Sequence, residues 1–207
     1  MSDPNLQPHT HSPAPRPNTP RVEVTFGDIT ALPSDVLVTS VTTDGNWEGG
    51  VDKAIRRRAG LGFHALLAQQ CRVHPIKEGD VVIVPAALGA GEPVYGSHGD
   101  LNAYEAATPF GAVAFTADNL TRPLSQVILN GLTEIDTRQF EHAAIPLMRT
   151  GNMQGKHEDP MEAVRQLGLG VGEFVRSNPQ HLQHISIVAY PNSYPAELHG
   201  PLLALQQ

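Results

Sequence analysis

Three glycine-bearing turns contain most of the residues in this chain that could bind a charged ligand. They are residues 27–30 (GDIT), 46–52 (NWEGGVD) and 149–155 (RTGNMQG), and each follows a segment rich in apolar residues. Glycine lets backbone N–H groups approach an anion closely, and a helix that begins at such a turn adds the partial positive charge of its N-terminus. Two such turns facing each other would hold a diphosphate, so the sequence indicates a phosphorylated ligand.

Runs of apolar residues predict the elements that position these turns. They predict six strands, at residues 22–26, 36–38, 81–84, 112–115, 143–147 and 185–190. Apolar residues at helical spacing lie between several of these runs. Strands that alternate with helices indicate an α/β sheet covered by helices on both faces. Ligands of such sheets bind beyond the carboxyl ends of the strands, so we expect the three turns to meet at one edge.

The last long helical stretch has a recognisable start. Asp159 can cap it, Pro160 suits the first helical position, and Glu162 stands where the acid of a capping box would. Further along the same stretch, alternate residues are glycine. No strand precedes these glycines, so we interpret them as close helix–sheet packing rather than as a nucleotide-binding loop. They are Gly168, Gly170 and Gly172.

Composition limits the class of protein and its partners. Residues 1–20 are rich in proline and poor in apolar side chains, which predicts a disordered tail before a single domain at 21–207. Fourteen Lys and Arg against twenty-one Asp and Glu give a net charge of −7, so we expect no binding to duplex nucleic acid. The single cysteine excludes an internal disulfide. With no apolar run of membrane-spanning length and no secretory signal, we predict a cytoplasmic protein that spans no membrane.

The turns and the first strands together resemble a known family. GDIT at 27–30, DVLVTSVT at 35–42 and GGVDKAIRRRAG at 49–60 look like the N-terminal signature of macrodomains. Macrodomains are ADP-ribose-binding modules, and some of them are ADP-ribosyl hydrolases. TGNMQG at 150–155 is similar to the family's second phosphate loop. The resemblance covers roughly residues 21–192 and implies a three-layer α/β/α sandwich with a central mixed sheet of about six strands.

The resemblance also implies roles for individual residues in binding. Asp28 matches the acid that accepts a hydrogen bond from the adenine amino group, Ile29 matches its neighbour on the ring, and Tyr190 matches the aromatic residue near the base. Thr42 matches the position that holds the distal ribose. The loops around the diphosphate are matched by Gly49, Gly50, Val51, Thr150, Gly151, Asn152, Met153 and Gly155.

Departures from the family pattern bear on catalysis. Asp52 matches the acid that in hydrolytic members orients or activates water near the anomeric carbon. The paired asparagines of the family are replaced by Thr39 and Thr42, and a threonine has no amide to position that water. Asn46 could restore an amide to the site, and we assign it a catalytic role beside Asp52. Trp47, ahead of the shortened glycine run, would narrow the distal-ribose end.

These observations predict a protein that binds ADP-ribose or a related nucleotide, with an ADP-ribosylated protein as a further partner. Hydrolysis of an ADP-ribosyl linkage would require Asp52 and no metal or cofactor. The replaced asparagines favour an alternative, a binding-only reader or sensor. A third alternative is a degenerate macrodomain whose filled cleft serves protein interaction.

Overall fold

The computed structural model describes residues 19–45, 50–89, 108–150, 159–191 and 194–206. Of the predicted Pro-rich tail, only Thr19 and Pro20 belong to these ranges, so the prediction of disorder falls outside them. Among the described residues, no helix is long and apolar enough to cross a membrane.

All six predicted strands are present. Two of them, at 143–147 and 185–190, end one residue earlier than the apolar pattern predicts, so Tyr190 lies just beyond its strand. In chain order the strands are β1 (Arg21–Phe26), β2 (Ser34–Val41), β3 (Val81–Pro85), β4 (Phe110–Ala117), β5 (His142–Pro146) and β6 (His184–Ala189).

The strands form one sheet in the order β1-β6-β5-β2-β4-β3. All neighbours in it are parallel except β3 and β4, which are antiparallel. The mixed sheet is therefore confirmed. Because five of the strands run the same way, their carboxyl ends lie along one edge, and the described residues of the predicted turns follow strands at this edge.

Helices cover both faces of the sheet and make the three layers. In chain order they are α1 (Val51–Ala59), α2 (Gly62–Val73), α3 (Ala86–Gly89), α4 (Leu124–Thr137), α5 (Pro160–Arg176) and α6 (His199–Leu203). Helices α1 and α2 pack on the face that carries Leu37, Val113 and Phe115. Helices α4 and α5 pack on the opposite face, against Val36 and Ala114. The sheet thus separates two apolar cores.

The start of α5 confirms two of the three predicted signals. The Asp159 carboxylate accepts a hydrogen bond from the Met161 N–H at 3.0 Å, and Pro160 is the first helical residue. The capping-box prediction for Glu162 is wrong, because its carboxylate binds the guanidinium of Arg165 at 2.6 and 2.7 Å. A charged donor one turn along the helix is a stronger partner than a backbone N–H.

Gly170 of α5 makes a different contact from the one predicted. A Cβ on Gly170 would lie 2.5 Å from the carbonyl oxygen of Ser125 and 2.8 Å from Cβ of Ile128. Both of these residues belong to α4, so the close contact joins two helices rather than a helix and the sheet. This contact fixes the position of α5 against α4.

Candidate functional site

The carboxyl ends of the parallel strands arrange the predicted site residues in a row. Asp28 follows β1, Tyr190 follows β6, Thr150 follows β5, and Thr42 follows β2. With neighbouring strands about 4.8 Å apart, the ends of β1 and β2 are separated by about 14 Å. The row is therefore long enough for an extended ligand rather than for a single small ion.

Asp28 is exposed, and its carboxylate organises the turn after β1. Its Oδ1 accepts hydrogen bonds from the Thr30 N–H at 2.9 Å and from the Thr30 hydroxyl at 2.8 Å, which caps the 3-10 turn Ile29–Ala31. Ile29 is buried in the core beneath α1. The structure therefore gives Asp28 a capping role in its own turn, and this role uses one of its two oxygens.

Aromatic side chains lie near the ends of β1 and β6. Tyr190 is 61% exposed, so it is not a core residue of the strand end. Phe26, the last residue of β1, stacks on His199 with ring centres 4.7 Å apart and lies 6.4 Å from the ring of Tyr194. Together these rings supply apolar surface at the end of the row where Asp28 is found.

Gly50 and Val51 lie at the start of α1. Gly50 has φ of +57°, a conformation that glycine adopts without the steric cost paid by other residues, and the helix begins at Val51. Asp52, in the first helical turn, is 5% exposed. A helix N-terminus with a buried carboxylate in its first turn therefore stands at the end of β2.

The Asp52 carboxylate has two buried partners. Its Oδ1 accepts a hydrogen bond from the Thr39 hydroxyl at 3.2 Å and lies 3.2 Å from Nε2 of His64. His64 is itself buried, on α2, with its ring edge-on to Phe115. His64 was not predicted as a site residue, because it lies on a different helix from Asp52 and no periodicity of the sequence links the two.

The segment after β2 is tied to the turn after β4. Thr42 donates its hydroxyl to the carboxylate of Asp44. The Thr43 N–H donates to Oδ1 of Asn119 at 3.0 Å, and Nδ2 of Asn119 donates to the Thr43 hydroxyl at 2.8 Å. Thr42 therefore begins a segment whose side chains contact one another and the turn after β4.

A buried ion pair joins the ends of β4 and β5. Nε and Nη2 of Arg149 donate to the two carboxylate oxygens of Asp118 at 2.9 and 2.7 Å. Asp118 is 0% exposed and Arg149 is 5% exposed. Arg149 has φ of +59°, a conformation that costs an ordinary residue about 1–2 kcal/mol. Neither residue of this pair was predicted as a site residue, and an acid directly after a buried strand was the available signal.

Thr150 follows this pair, and its hydroxyl donates to the Leu147 carbonyl at 2.9 Å. The remaining predicted site residues lie outside the described residues, and so do Trp47 and Glu48. They are Asn46, Gly49, Gly151, Asn152, Met153 and Gly155.

The carboxylate of Glu78, just before β3 in the chain, binds the turn that follows β4 at the same edge of the sheet. Glu78 accepts hydrogen bonds from the N–H groups of Thr121 at 2.8 Å and Arg122 at 3.0 Å. Burial alone would raise the pKa of Glu78, but the bonds from Thr121 and Arg122 outweigh it and lower the pKa below its usual value. Among the residues that the structure describes, no group of three or more His, Cys, Asp or Glu side chains could hold a metal ion.

Comparison with known proteins gives a match at the level of structure. No protein-family model and no curated protein matches the sequence. The Oceanobacillus iheyensis macrodomain with ADP superposes with a TM-score of 0.65 at 17% identity, over 91% of this chain and 90% of that one. The Trypanosoma brucei macrodomain in complex with ADP-ribose superposes with a TM-score of 0.64 at 16% identity, over 89% of this chain and 68% of that one. The chain therefore has the macrodomain fold, as its sequence motifs predict.

Proposed function

We propose that this protein binds ADP-ribose, or a nucleotide that shares its adenosine diphosphate, across the carboxyl ends of β1, β6, β5 and β2. One observation carries the proposal. The described residues of the macrodomain-like motifs follow the strands of this edge in the order of the ligand's parts. Asp28 and Tyr190, which we assign to the adenine, follow β1 and β6, and Thr150, which we assign to the diphosphate, follows β5. Gly50 and Asp52, which we assign to the diphosphate and the distal ribose, lie at the start of α1, which comes after β2 in the chain.

The chemistry of each end is consistent with this order. An adenine ring needs an aromatic or apolar surface and an acceptor for its amino group. The ends of the neighbouring strands β6 and β1 offer the exposed ring of Tyr190 and the carboxylate of Asp28. A diphosphate needs backbone N–H groups and a helix N-terminus, and α1 begins at Gly50 beside the end of β2. Neither group requires a metal ion for recognition.

The proposal is tested by calorimetric titration with ADP-ribose, ADP and AMP. We expect Asp28→Asn to keep the turn, because the amide oxygen still accepts from Thr30, but to present an amide donor to the adenine amino group. Binding should weaken by about tenfold, which corresponds to roughly 1.4 kcal/mol, the worth of one hydrogen bond to a charged group.

Asp80→Asn is the matched control. Asp80 is also exposed, and it also accepts a backbone N–H, from Lys77 at 2.7 Å, but it lies beside β3 at the far edge of the sheet. Equal losses of affinity in the two variants would exclude Asp28 as an adenine contact. Absence of binding by the unaltered protein would refute the proposed function itself.

A second function, hydrolysis of an ADP-ribosyl linkage, is favoured by the contact between Asp52 and His64. A buried carboxylate paired with an imidazole is a common arrangement for general base catalysis. Loss of turnover in Asp52→Asn with ADP-ribose affinity retained would support this function. No turnover by the unaltered protein on ADP-ribosylated protein, together with tight ADP-ribose binding, would favour the binding-only reader.

A further inference from the structure

The turn between β4 and α4, residues 118–122, contacts the segments that follow β2 and β5, the two strands that come before β4 in the sheet order. We call residues 42–45, after β2, the first stem, and residues 147–150, after β5, the second stem. Along the chain, the first stem precedes the glycine-bearing turn at 46–52, and the second stem includes the first two residues of the one at 149–155. The β4–α4 turn therefore links the two segments of chain that lead into these turns.

Three hydrogen bonds connect the β4–α4 turn with the end of β2 and the first stem. The Asp118 N–H donates to the Val41 carbonyl at 2.8 Å. Asn119 then makes a reciprocal pair with Thr43, accepting from its N–H at 3.0 Å and donating to its hydroxyl at 2.8 Å. Because both bonds of that pair use the Asn119 side chain, a single substitution removes them together.

A different set of bonds connects the β4–α4 turn with the second stem. Arg149 makes its two-pronged ion pair with Asp118, and its Nη2 also donates to the Arg122 carbonyl at 2.8 Å. The buried Asp118 carboxylate offsets the Arg149 charge. The side chain therefore acts on the stem by holding its geometry, and we do not assign it to the ligand.

The β4–α4 turn is held in place from the other side. Glu78 accepts from the N–H groups of Thr121 and Arg122 and from the Thr121 hydroxyl. The Gly79 N–H donates to the Ala117 carbonyl at 2.8 Å. A turn that is anchored in this way and bonded to both stems can hold the distance between the two stems fixed.

We propose that the β4–α4 turn sets the separation of the two stems and thereby selects ligands with two phosphates in series, with Asn119 and Arg149 as positioning residues. This inference rests on the proposed function. A diphosphate must satisfy both glycine-bearing turns at once, so its affinity depends on the distance between them. A monophosphate contacts one turn at a time, and its affinity does not depend on that distance.

The test compares ADP-ribose, ADP and AMP binding to variants of the full chain. Asn119 is exposed, so we expect Asn119→Ala to fold. The two lost bonds should lower ADP-ribose and ADP affinity by about tenfold or more and leave AMP affinity within about twofold. Thr43→Ser, which keeps both the N–H and the hydroxyl, should bind like the unaltered protein. Arg149→Lys, which keeps the charge but loses the two-pronged geometry, should repeat the selective loss.

Asp35→Ala is the matched control, because Asp35 is also exposed and its carboxylate also makes two hydrogen bonds, from the N–H groups of Glu141 and His142 at 2.9 Å, but it lies at the start of β2, at the opposite end of the strands from both stems. Its affinities for all three ligands should be unchanged. If the affinity of Asn119→Ala or Arg149→Lys for AMP fell as far as its affinity for ADP-ribose, the effect would be a general structural one and the proposal would be overturned.

Hydrogen–deuterium exchange of the ligand-free variants separates this inference from the proposed function. Asn119→Ala should speed exchange in the first stem, where the Thr43 N–H loses its acceptor, and Arg149→Lys should speed it in the second. Unchanged exchange in either stem would overturn the role of the β4–α4 turn. If the unaltered protein bound none of the three ligands, the proposed function and the ligand preference would both fail, while the exchange data would still decide whether the turn restrains the stems.

Discussion

Asp52 has a structural role and a proposed catalytic role, and a single substitution can affect both. Its Oδ1 lies 3.2 Å from the Thr39 hydroxyl and 3.2 Å from Nε2 of His64, and all three residues are buried. The carboxylate therefore holds α1, α2 and β2 together, whether or not it also serves a reaction. A variant that removes it loses fold stability as well as chemistry, so a loss of activity alone would not identify Asp52 as a base.

We predict that Asp52→Ala lowers the free energy of unfolding by about 1–3 kcal/mol, because it leaves two buried polar groups without their acceptor. Asp52→Asn keeps an oxygen at the same place, so its stability should lie much closer to that of the unaltered protein. Urea denaturation followed by circular dichroism measures both values. If the two variants were equally stable, the bonds to Thr39 and His64 would contribute nothing measurable.

At the residue scale, the sequence predicted which positions to examine better than it predicted their contacts. Asp28 and Asp52 were predicted because the residues around them resemble a family pattern, and their roles toward a ligand stay predictions. The partners of Asp52 and the Asp118–Arg149 pair were not found, because each joins segments that are distant in the chain and lie on different elements. Contacts of this kind depend on the assembled sheet, which a single sequence does not describe.

The packing of α5 on α4 is the tightest helix contact that its glycines make. At Gly170 an added Cβ would lie 2.5 Å from a backbone oxygen of α4, whereas at Gly172 its nearest neighbour would be Nη1 of Arg176 at 3.3 Å. Backbone cannot move aside without shifting a helix, but the end of an arginine side chain can. The two glycines therefore differ in what they tolerate.

We expect Gly170→Ala to destabilise the protein by about 1–3 kcal/mol, the usual effect of overpacking a core. Gly172→Ala should be neutral or stabilising by up to about 1 kcal/mol, because alanine has the better helix propensity. Thermal and urea denaturation of the pair would measure this contrast. Similar losses in both variants would mean that helix α5, rather than its contact with α4, is sensitive to the added methyl group.

At the element scale, the sequence predicted the strands and the long helices well. Period-two and continuous apolar runs placed all six strands, and Pro160 with Asp159 placed the start of α5. The prediction that Gly170 packs against the sheet was wrong, because small residues in a sequence indicate that another element approaches closely but do not identify that element. The role of Glu162 was wrong for a related reason, since Arg165 competes for the same carboxylate.

The molecule as a whole contains acidic and histidine side chains whose pKa values depend on folding. Burial, and then the charge of His184 stacked 4.2 Å away, lower the pKa of His142, although Asp35 and Glu23 oppose them. Burial would raise the pKa of Asp136, but the N–H groups of Leu182, His181 and Gln180 lower it on balance. Each group resists protonation in the folded state more than in the unfolded one.

We predict that stability falls in two stages on acidification. The unfolded chain takes up a proton at His142 first, so this contribution is present above pH 6.5 and is lost as the pH falls below it. The carboxylates with lowered pKa values, such as Asp136, lose theirs below pH 3.8. Thermal melts at a series of pH values from neutral pH down to 3.8 measure the loss of stability in the first stage.

His142→Gln should flatten that first stage, because glutamine keeps a partner for the Ser186 hydroxyl but does not titrate. His74→Gln, at an exposed position after α2, is the control and should leave the profile unchanged. If the first loss of stability persisted in His142→Gln, a titrating group other than His142 would be its cause.

The order of the strands also has a consequence for biosynthesis. β1 lies at one edge of the sheet, where Glu23 is joined to Ser186 on its neighbour β6 across 163 residues. Of the six strands, β1 is translated first and β6 last, so a further 163 residues must be synthesised after Glu23 before Ser186 can pair with it. Pairing over so long a separation is slow. We therefore expect the pairing of β1 with β6, which positions Asp28, to be the last part of the sheet to form during synthesis. A chaperone that shields exposed strands would bind β1 until then.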